Sequence, residues 1–107
     1  MQLRDLVESY NGLADPVRLR ILSLLDARET RTVSVLCAAL KLPQSTVSRQ
    51  LGILRRSGLV EVEREGRFMH YSLCAETLGL LGLDGALSAA REQCVALRRD
   101  EARSAKL

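Results

Sequence analysis

Between positions 44 and 49 the chain reads Gln-Ser-Thr-Val-Ser-Arg, with Lys41 just before it and Arg55 and Arg56 just after. These side chains suit the edges and backbone of a nucleic acid. An Arg fork matches guanine O6 and N7, a Gln amide matches adenine N6 and N7, and short hydroxyls allow close approach. Gln44, Ser45, Thr46, Ser48 and Arg49 are therefore candidates for base contact, and Lys41, Arg55 and Arg56 for phosphate. Residues 41 to 58 hold four cations and no acid in a chain whose net charge is only +3, so the positive charge is concentrated here. That is the footprint of a phosphate-binding surface. With 14 Arg and 2 Lys in the whole chain, the clustering carries more weight than any one arginine. Taken singly, each residue also suits a solvated helix exterior; the combination points to DNA.

Such a surface must be carried by a rigid element. Val47, Leu51 and Leu54 recur at helical spacing, which turns Gln44, Ser45, Ser48, Arg49 and Arg55 outward on a helix that Gly58 ends. Only Lys41-Leu42-Pro43 separates it from a short helix carrying Val33, Leu36, Cys37 and Leu40, for which Thr32 or Ser34 is the cap. Two helices joined by so short a turn form a helix-turn-helix. The N-terminal end of the second would enter the major groove, where its free N–H groups also favour a phosphate.

Upstream, Leu3, Leu6, Val7, Tyr10 and Leu13 predict a first helix ending near Asn11-Gly12. Asp15 as N-cap and Pro16 at the first helical position begin a second, whose Val17, Ile21, Leu24 and Leu25, with Leu22 beside them, place it at the centre of the core. Ala27 to Arg31 reads as a connection. After Gly58 the period falls to two, and Leu59 to Glu65, Glu65-Gly66 and Arg67 to Leu73 predict a β-hairpin with Arg64 and Arg67 at its tip; Arg67 is placed to reach an adjacent minor groove. Residues 75 to 83 read as a turn or frayed helix. Asp84 would then cap one long last helix. Its Leu80, Leu83, Leu87, Ala90, Cys94 and Leu97 form a heptad-like seam, and the tail beyond Arg98 is expected to be solvated. The fold class is mainly α with a small β-hairpin, in the order α-α-α-α-β-β-α, as a single domain over residues 1–107.

A core built from 47% apolar but only 3% aromatic residues suits packed helices. A single histidine, His70, with no glycine-rich phosphate loop and no clustered carboxylates, offers no catalytic constellation. Nothing reads as a secretory signal or membrane span, and three widely spaced cysteines, Cys37, Cys74 and Cys94, argue against a disulfide framework. A cytoplasmic protein without a membrane partner is expected.

The runs Leu13-Ala14-Asp15-Pro16-Val17-Arg18-Leu19-Arg20-Ile21-Leu22, Leu42 to Leu51, Leu54-Arg55-Arg56-Ser57-Gly58-Leu59-Val60 and Glu65-Gly66-Arg67-Phe68-Met69-His70-Tyr71-Ser72-Leu73 resemble the ArsR/SmtB family of winged helix-turn-helix repressors. The resemblance runs in order from about residue 10 to residue 73, and the end helices match by position only. It implies a homodimer joined through the first and last helices. The complex would repress transcription from a double-stranded DNA operator and leave it when an inducer, typically a metal or metalloid ion, binds. On this reading Leu3, Leu6, Leu83, Leu87, Ala90, Cys94 and Leu97 are the dimerisation residues; so small a chain offers the seam no obvious partner of its own. Two recognition helices about 34 Å apart would then enter successive major grooves. The competing class is a winged-helix protein-interaction module without DNA binding.

Two departures from the family pattern concern the inducer. Its third-helix thiolate site reads Cys-x-Cys followed by another Cys; here those positions are Thr32, Ser34 and Cys37, and one thiolate does not hold arsenite. Its other site places Asp, His and Glu on the last helix, whereas His70 lies in the hairpin. Three readings of the cysteines stay open. Cys37 and Cys94 are core residues and Cys74 ends a strand; or Cys37 and Cys94, with or without Cys74, meet across a dimer to bind arsenite, antimonite or another soft ion; or Cys94 is a redox or persulfide switch.

Overall fold

The Asp15 carboxylate accepts a 3.0 Å hydrogen bond from the Arg18 backbone N–H, and Pro16 takes the first helical position. In the computed structural model, which describes residues 1–28 and 30–107, this start gives α2 (Pro16–Ala27), preceded by α1 (Leu3–Leu13). Ile21, Leu22, Leu24 and Leu25 of α2 are all 2% exposed or less. A helix buried on so many sides needs neighbours all round. Elements from both ends of the chain supply them, including α1 and the C-terminal helices.

The connection after α2 differs from expectation. Glu29 lies outside the described residues, and Arg31–Thr32 form a short strand, β1. It pairs antiparallel with Tyr71 and His70, a long-range pairing that two residues with no periodicity cannot announce. Thr32 then caps α3 (Val33–Leu40), its hydroxyl accepting from Val35 N–H at 3.5 Å. The turn to α4 (Gln44–Arg56) runs through Lys41, whose φ of 56° puts a non-glycine residue in the left-handed region. That conformation costs roughly 1–2 kcal/mol, offset here by the tertiary packing of both helices. Leu36, Val47, Leu51 and Leu54 are wholly buried where α3 and α4 meet the core.

The expected hairpin forms from β2 (Val60–Glu65) and β3 (Phe68–Leu73), giving a three-stranded sheet in the order β1-β3-β2. Its register pairs Val60 with Leu73 and Glu65 with Phe68. Since opposed residues share a face, Val60, Val62, Tyr71 and Leu73 turn to the core, while Glu61, Glu63, Glu65, Phe68, His70 and Ser72 share the other face.

The C-terminal part departs most from the sequence reading. Residues 75 to 83 contain a defined helix, α5 (Ala75–Leu80), with Thr77 and Leu78 buried. Gly85 in the left-handed region, not Asp84, occupies the N-cap of α6 (Ala86–Gln93). The single long helix is broken at Cys94, whose extended backbone ends α6 and begins α7 (Val95–Ser104). The break lets α7 fold back onto α2 and α3, burying Leu97, Asp100 and Ser104. The segment beyond Arg98 is therefore docked rather than solvated. Part of the heptad-like seam also finds its cover within the subunit: Leu87 and Leu97 are each 8% exposed, whereas Leu80 remains 64% exposed.

Candidate nucleic-acid interface

Pro43 ends the turn in an extended conformation and provides α4 with no side-chain cap, so among the described residues no side chain takes up the first-turn N–H groups of α4. Around that end, Gln44, Ser45, Ser48 and Arg49 are all exposed and Thr46 is half-buried. Behind them Val47, Leu51 and Leu54 are fully buried, which fixes the helix's rotation. Lys41, Arg55 and Arg56 are exposed along the same element and the turn before it. The structure thus gathers the sequence-selected residues of this stretch along one acid-free helix and the turn before it, all but Thr46 exposed. Such a surface can hydrogen-bond base edges from its first turns and bind phosphate with the cations at either end.

The two arginines expected at the hairpin tip differ in what they do. Arg67 is exposed and, with Phe68 and Met69, lines a groove of about 250 Å³ shared with Thr32, Ser34 and Gln44. Arg64 instead folds over the turn, its Nε donating to Gly66 O at 3.0 Å. The outer face of β2 presents Glu61, Glu63 and Glu65, and His70 lies 3.7 Å from the Glu65 carboxylate. Only the tip, and not this face, is electrostatically suited to DNA.

Two arginines overlooked at the sequence level join separate elements of the fold, and one of them reaches α4. Arg18 Nε and Nη2 donate to Gly12 O and Asn11 O at the end of α1, and Nη1 donates to Gln50 Oε1 on α4 at 3.0 Å. Arg31 is 6% exposed and donates to Leu24 O at 3.3 Å. Burial, and then the nearby Arg28 charge, pull its pKa below the ordinary guanidinium value. No sequence periodicity marks either arginine, since each partners a backbone carbonyl or an amide distant in the chain.

The cysteines are dispersed in environment. Cys37 is half-buried against the core, and burial pushes its thiol pKa up. Cys74 is half-buried at the end of β3 and accepts from Thr77 Oγ1 at 3.2 Å. Cys94, expected in one reading to be a core residue, is exposed at the α6–α7 break, because the helix on which that reading relied is interrupted there. Among the described residues no three His, Cys, Asp or Glu side chains are grouped to hold a metal ion. The third-helix donor set is Thr32, Ser34 and Cys37, with the two hydroxyls 3.2 Å apart, and one sulfur with two neutral hydroxyls does not fit a soft metalloid. No helix among the described residues is long and apolar enough to cross a membrane.

A helix-turn-helix followed by a two-stranded wing defines a winged helix-turn-helix regulator. A helix-turn-helix domain family matches residues 13–63. The transcriptional repressor SmtB homolog of Synechocystis is 47% identical over 72 residues, covering 67% of this chain and 54% of its own length. HlyU from Vibrio cholerae has a similar structure, with a TM-score of 0.67 and 31% identity over 81% of this chain and 97% of that one. The homodimeric winged helix-turn-helix DNA-binding domain Mb0332 from Mycobacterium bovis, described as a possible ArsR-family regulator, gives a TM-score of 0.70 at 29% identity, covering 82% of each chain. This chain belongs to the ArsR/SmtB family of winged helix-turn-helix transcriptional regulators. It spans 54 to 65% of the length of the first curated relatives it matches.

Proposed function

We propose that the chain is one DNA-binding and dimerisation domain that acts as a homodimeric transcriptional repressor. The observation that carries this reading is the exposed set Gln44, Ser45, Ser48 and Arg49 on a helix whose opposite face is locked into the core. Gln44, Ser45, Thr46, Ser48 and Arg49 contact bases; Lys41, Arg55 and Arg56 contact phosphate; Arg67, with Arg64 beside the turn, follows the adjacent backbone or minor groove. Dimerisation places two such helices about 34 Å apart, one helical turn of DNA.

An exposed apolar face supports the dimer. On α1, Leu3, Val7 and Tyr10 are 76%, 49% and 49% exposed, and Leu80 is 64% exposed. Beside them opens a nearly all-apolar recess of about 210 Å³ whose walls include Leu13, Leu19, Leu83, Leu87 and Ala90. Leu3 and Leu6 from the first helix and Leu83, Leu87, Ala90, Cys94 and Leu97 from the C-terminal region are the proposed contacts; burial of Leu87 and Leu97 within the subunit makes those two supporting rather than central.

Fluorescence anisotropy with pseudo-palindromic and random duplexes, at several salt concentrations, tests the function. Tight, salt-dependent binding that prefers the palindrome is expected. Equal affinity for both duplexes removes the repressor reading and leaves a winged-helix protein-interaction module. A soft-ion inducer site at Cys37, Cys74 and Cys94 would need sulfurs from both subunits. Titration of the dimer with arsenite or antimonite, followed through sulfur-to-metalloid absorption, separates that arrangement from cysteines with no sensing role.

A further inference from the structure

Asp100 lies on α7 among exposed charged neighbours, Arg98, Arg99 and Glu101, yet its own side chain is only 1% exposed. Its carboxylate takes both arms of the Arg20 fork, Nε to Oδ2 and Nη2 to Oδ1, each at 2.9 Å. Arg103, one turn further along α7, donates to Oδ1 as well. Each arginine has a second partner at the end of α3. Arg20 Nη2 donates to Leu40 O at 3.0 Å, and Arg103 Nε donates to Ala39 O at 2.6 Å.

Carbonyls in the last turn of a helix have no intrahelical donor, and cations near them complement the helix dipole. Lys41 follows Leu40 directly and opens the turn into α4. One carboxylate from the C-terminal helix thus sets two guanidinium groups on the carbonyls that immediately precede the helix-turn-helix turn. An apolar cluster of the same volume would hold α7 about as well, because the desolvation of buried charges offsets much of their attraction. What an apolar cluster lacks is direction, which the bidentate fork supplies.

We propose that Asp100 is a positioning residue: held between Arg20 and Arg103, it fixes the C-terminal end of α3 and, through it, the angle at which α4 is presented to DNA. The DNA consequence rests on the function proposed above; the mechanical consequence does not. Docking of α7 then becomes a condition for operator discrimination, although α7 itself need not touch DNA.

The test compares Asp100→Asn with Leu25→Ala, a core variant outside the clamp that also lowers stability. Amide hydrogen exchange is read at Lys41 and Leu42, whose N–H groups donate to Cys37 O, together with anisotropy on palindromic and random duplexes. Asp100→Asn is expected to speed exchange at the turn and to cut the operator-over-random preference by about tenfold, within the usual range of coupling. Leu25→Ala should lower the melting temperature while keeping that preference. Unchanged turn exchange in Asp100→Asn overturns the proposal, and so does an equal loss of preference in Leu25→Ala. If Asp100→Asn does not fold, Arg103→Met serves instead; its side chain is 31% exposed, and the change leaves the Arg20–Asp100 pair in place while freeing Ala39 O. Should the wild type fail to discriminate between the duplexes, the DNA reading falls, and the exchange data alone decide whether Asp100 sets the turn.

Discussion

Arg18 on α2 donates to the Oε1 of Gln50, a residue 7% exposed on the inner face of α4, while its other nitrogens hold the last carbonyls of α1. One guanidinium therefore ties three helices together behind the proposed recognition surface. Arg18→Met keeps much of the stem but leaves Gln50 and the α1 carbonyls without their donor. A loss of about 1–3 kcal/mol is expected. Urea denaturation measures it, and a midpoint equal to that of the wild type would show the bridge to be dispensable.

Two glycines should respond to alanine in opposite directions. A Cβ on Gly12 would lie 2.7 Å from Leu59 Cδ1 and 2.8 Å from Ser57 Cβ, where α1 meets the end of α4. Leu59 is wholly buried, so any shift of its side chain must displace core neighbours. Overpacking of about 1–3 kcal/mol then outweighs the roughly 1 kcal/mol gained in helix propensity. At Gly52, among the described residues, the added methyl meets Arg56 Nη1 alone, at an ordinary 3.5 Å contact, so Gly52→Ala should stabilise by about 0.5–1 kcal/mol. Paired thermal melts check both signs.

Arg49 is exposed at the front of α4, so its truncation should leave the fold intact. Arg49→Ala is expected to lose about 1–3 kcal/mol of discrimination between operator and random DNA, with an unchanged melting temperature. Arg55→Ala should instead weaken binding to both duplexes similarly and flatten the salt dependence. If both variants behave alike, base contact and phosphate contact have been misassigned.

The exposed face of α1 gives a direct test of assembly. Placing glutamate at Val7 and Tyr10, both 49% exposed, should leave the monomer folded while setting like charges against each other across the proposed interface. Sedimentation velocity should show a dimer becoming a monomer, with operator affinity falling in parallel. A dimer that persists would move the interface elsewhere.

The thiols should differ in reactivity. Burial raises the Cys37 pKa above the ordinary thiol value, which lowers its thiolate fraction, while Cys94 is exposed at the α6–α7 break. Iodoacetamide at mildly alkaline pH should label Cys94 well before Cys37. The sign of the linkage follows from the same shift. The stability that neutral Cys37 contributes is complete below its unfolded-state pKa and is lost as pH rises through the higher folded-state value, so it weakens only under alkaline conditions. Mass spectrometry of time points resolves the order of labelling.

The helix-turn-helix and its outward face were readable from local pattern alone. The spacing of Val47, Leu51 and Leu54, the capping pair Asp15-Pro16 and the period change after Gly58 each act over a few residues, and short-range sterics and hydrogen bonding decide them. The cover over the C-terminal seam was not readable. A heptad-like spacing shows that one face is apolar, but not which surface will bury it. Here a break at Cys94 sends Leu97 into its own subunit, while Leu80, at the end of α5, stays uncovered. Nor could sequence separate Asp100 from its exposed neighbours, since its partner Arg20 stands 80 residues away and charge pairing at that distance leaves no periodic trace. Local physics determined the surface this protein presents; long-range burial and ion pairing, which only the assembled chain can satisfy, decided what holds that surface in place.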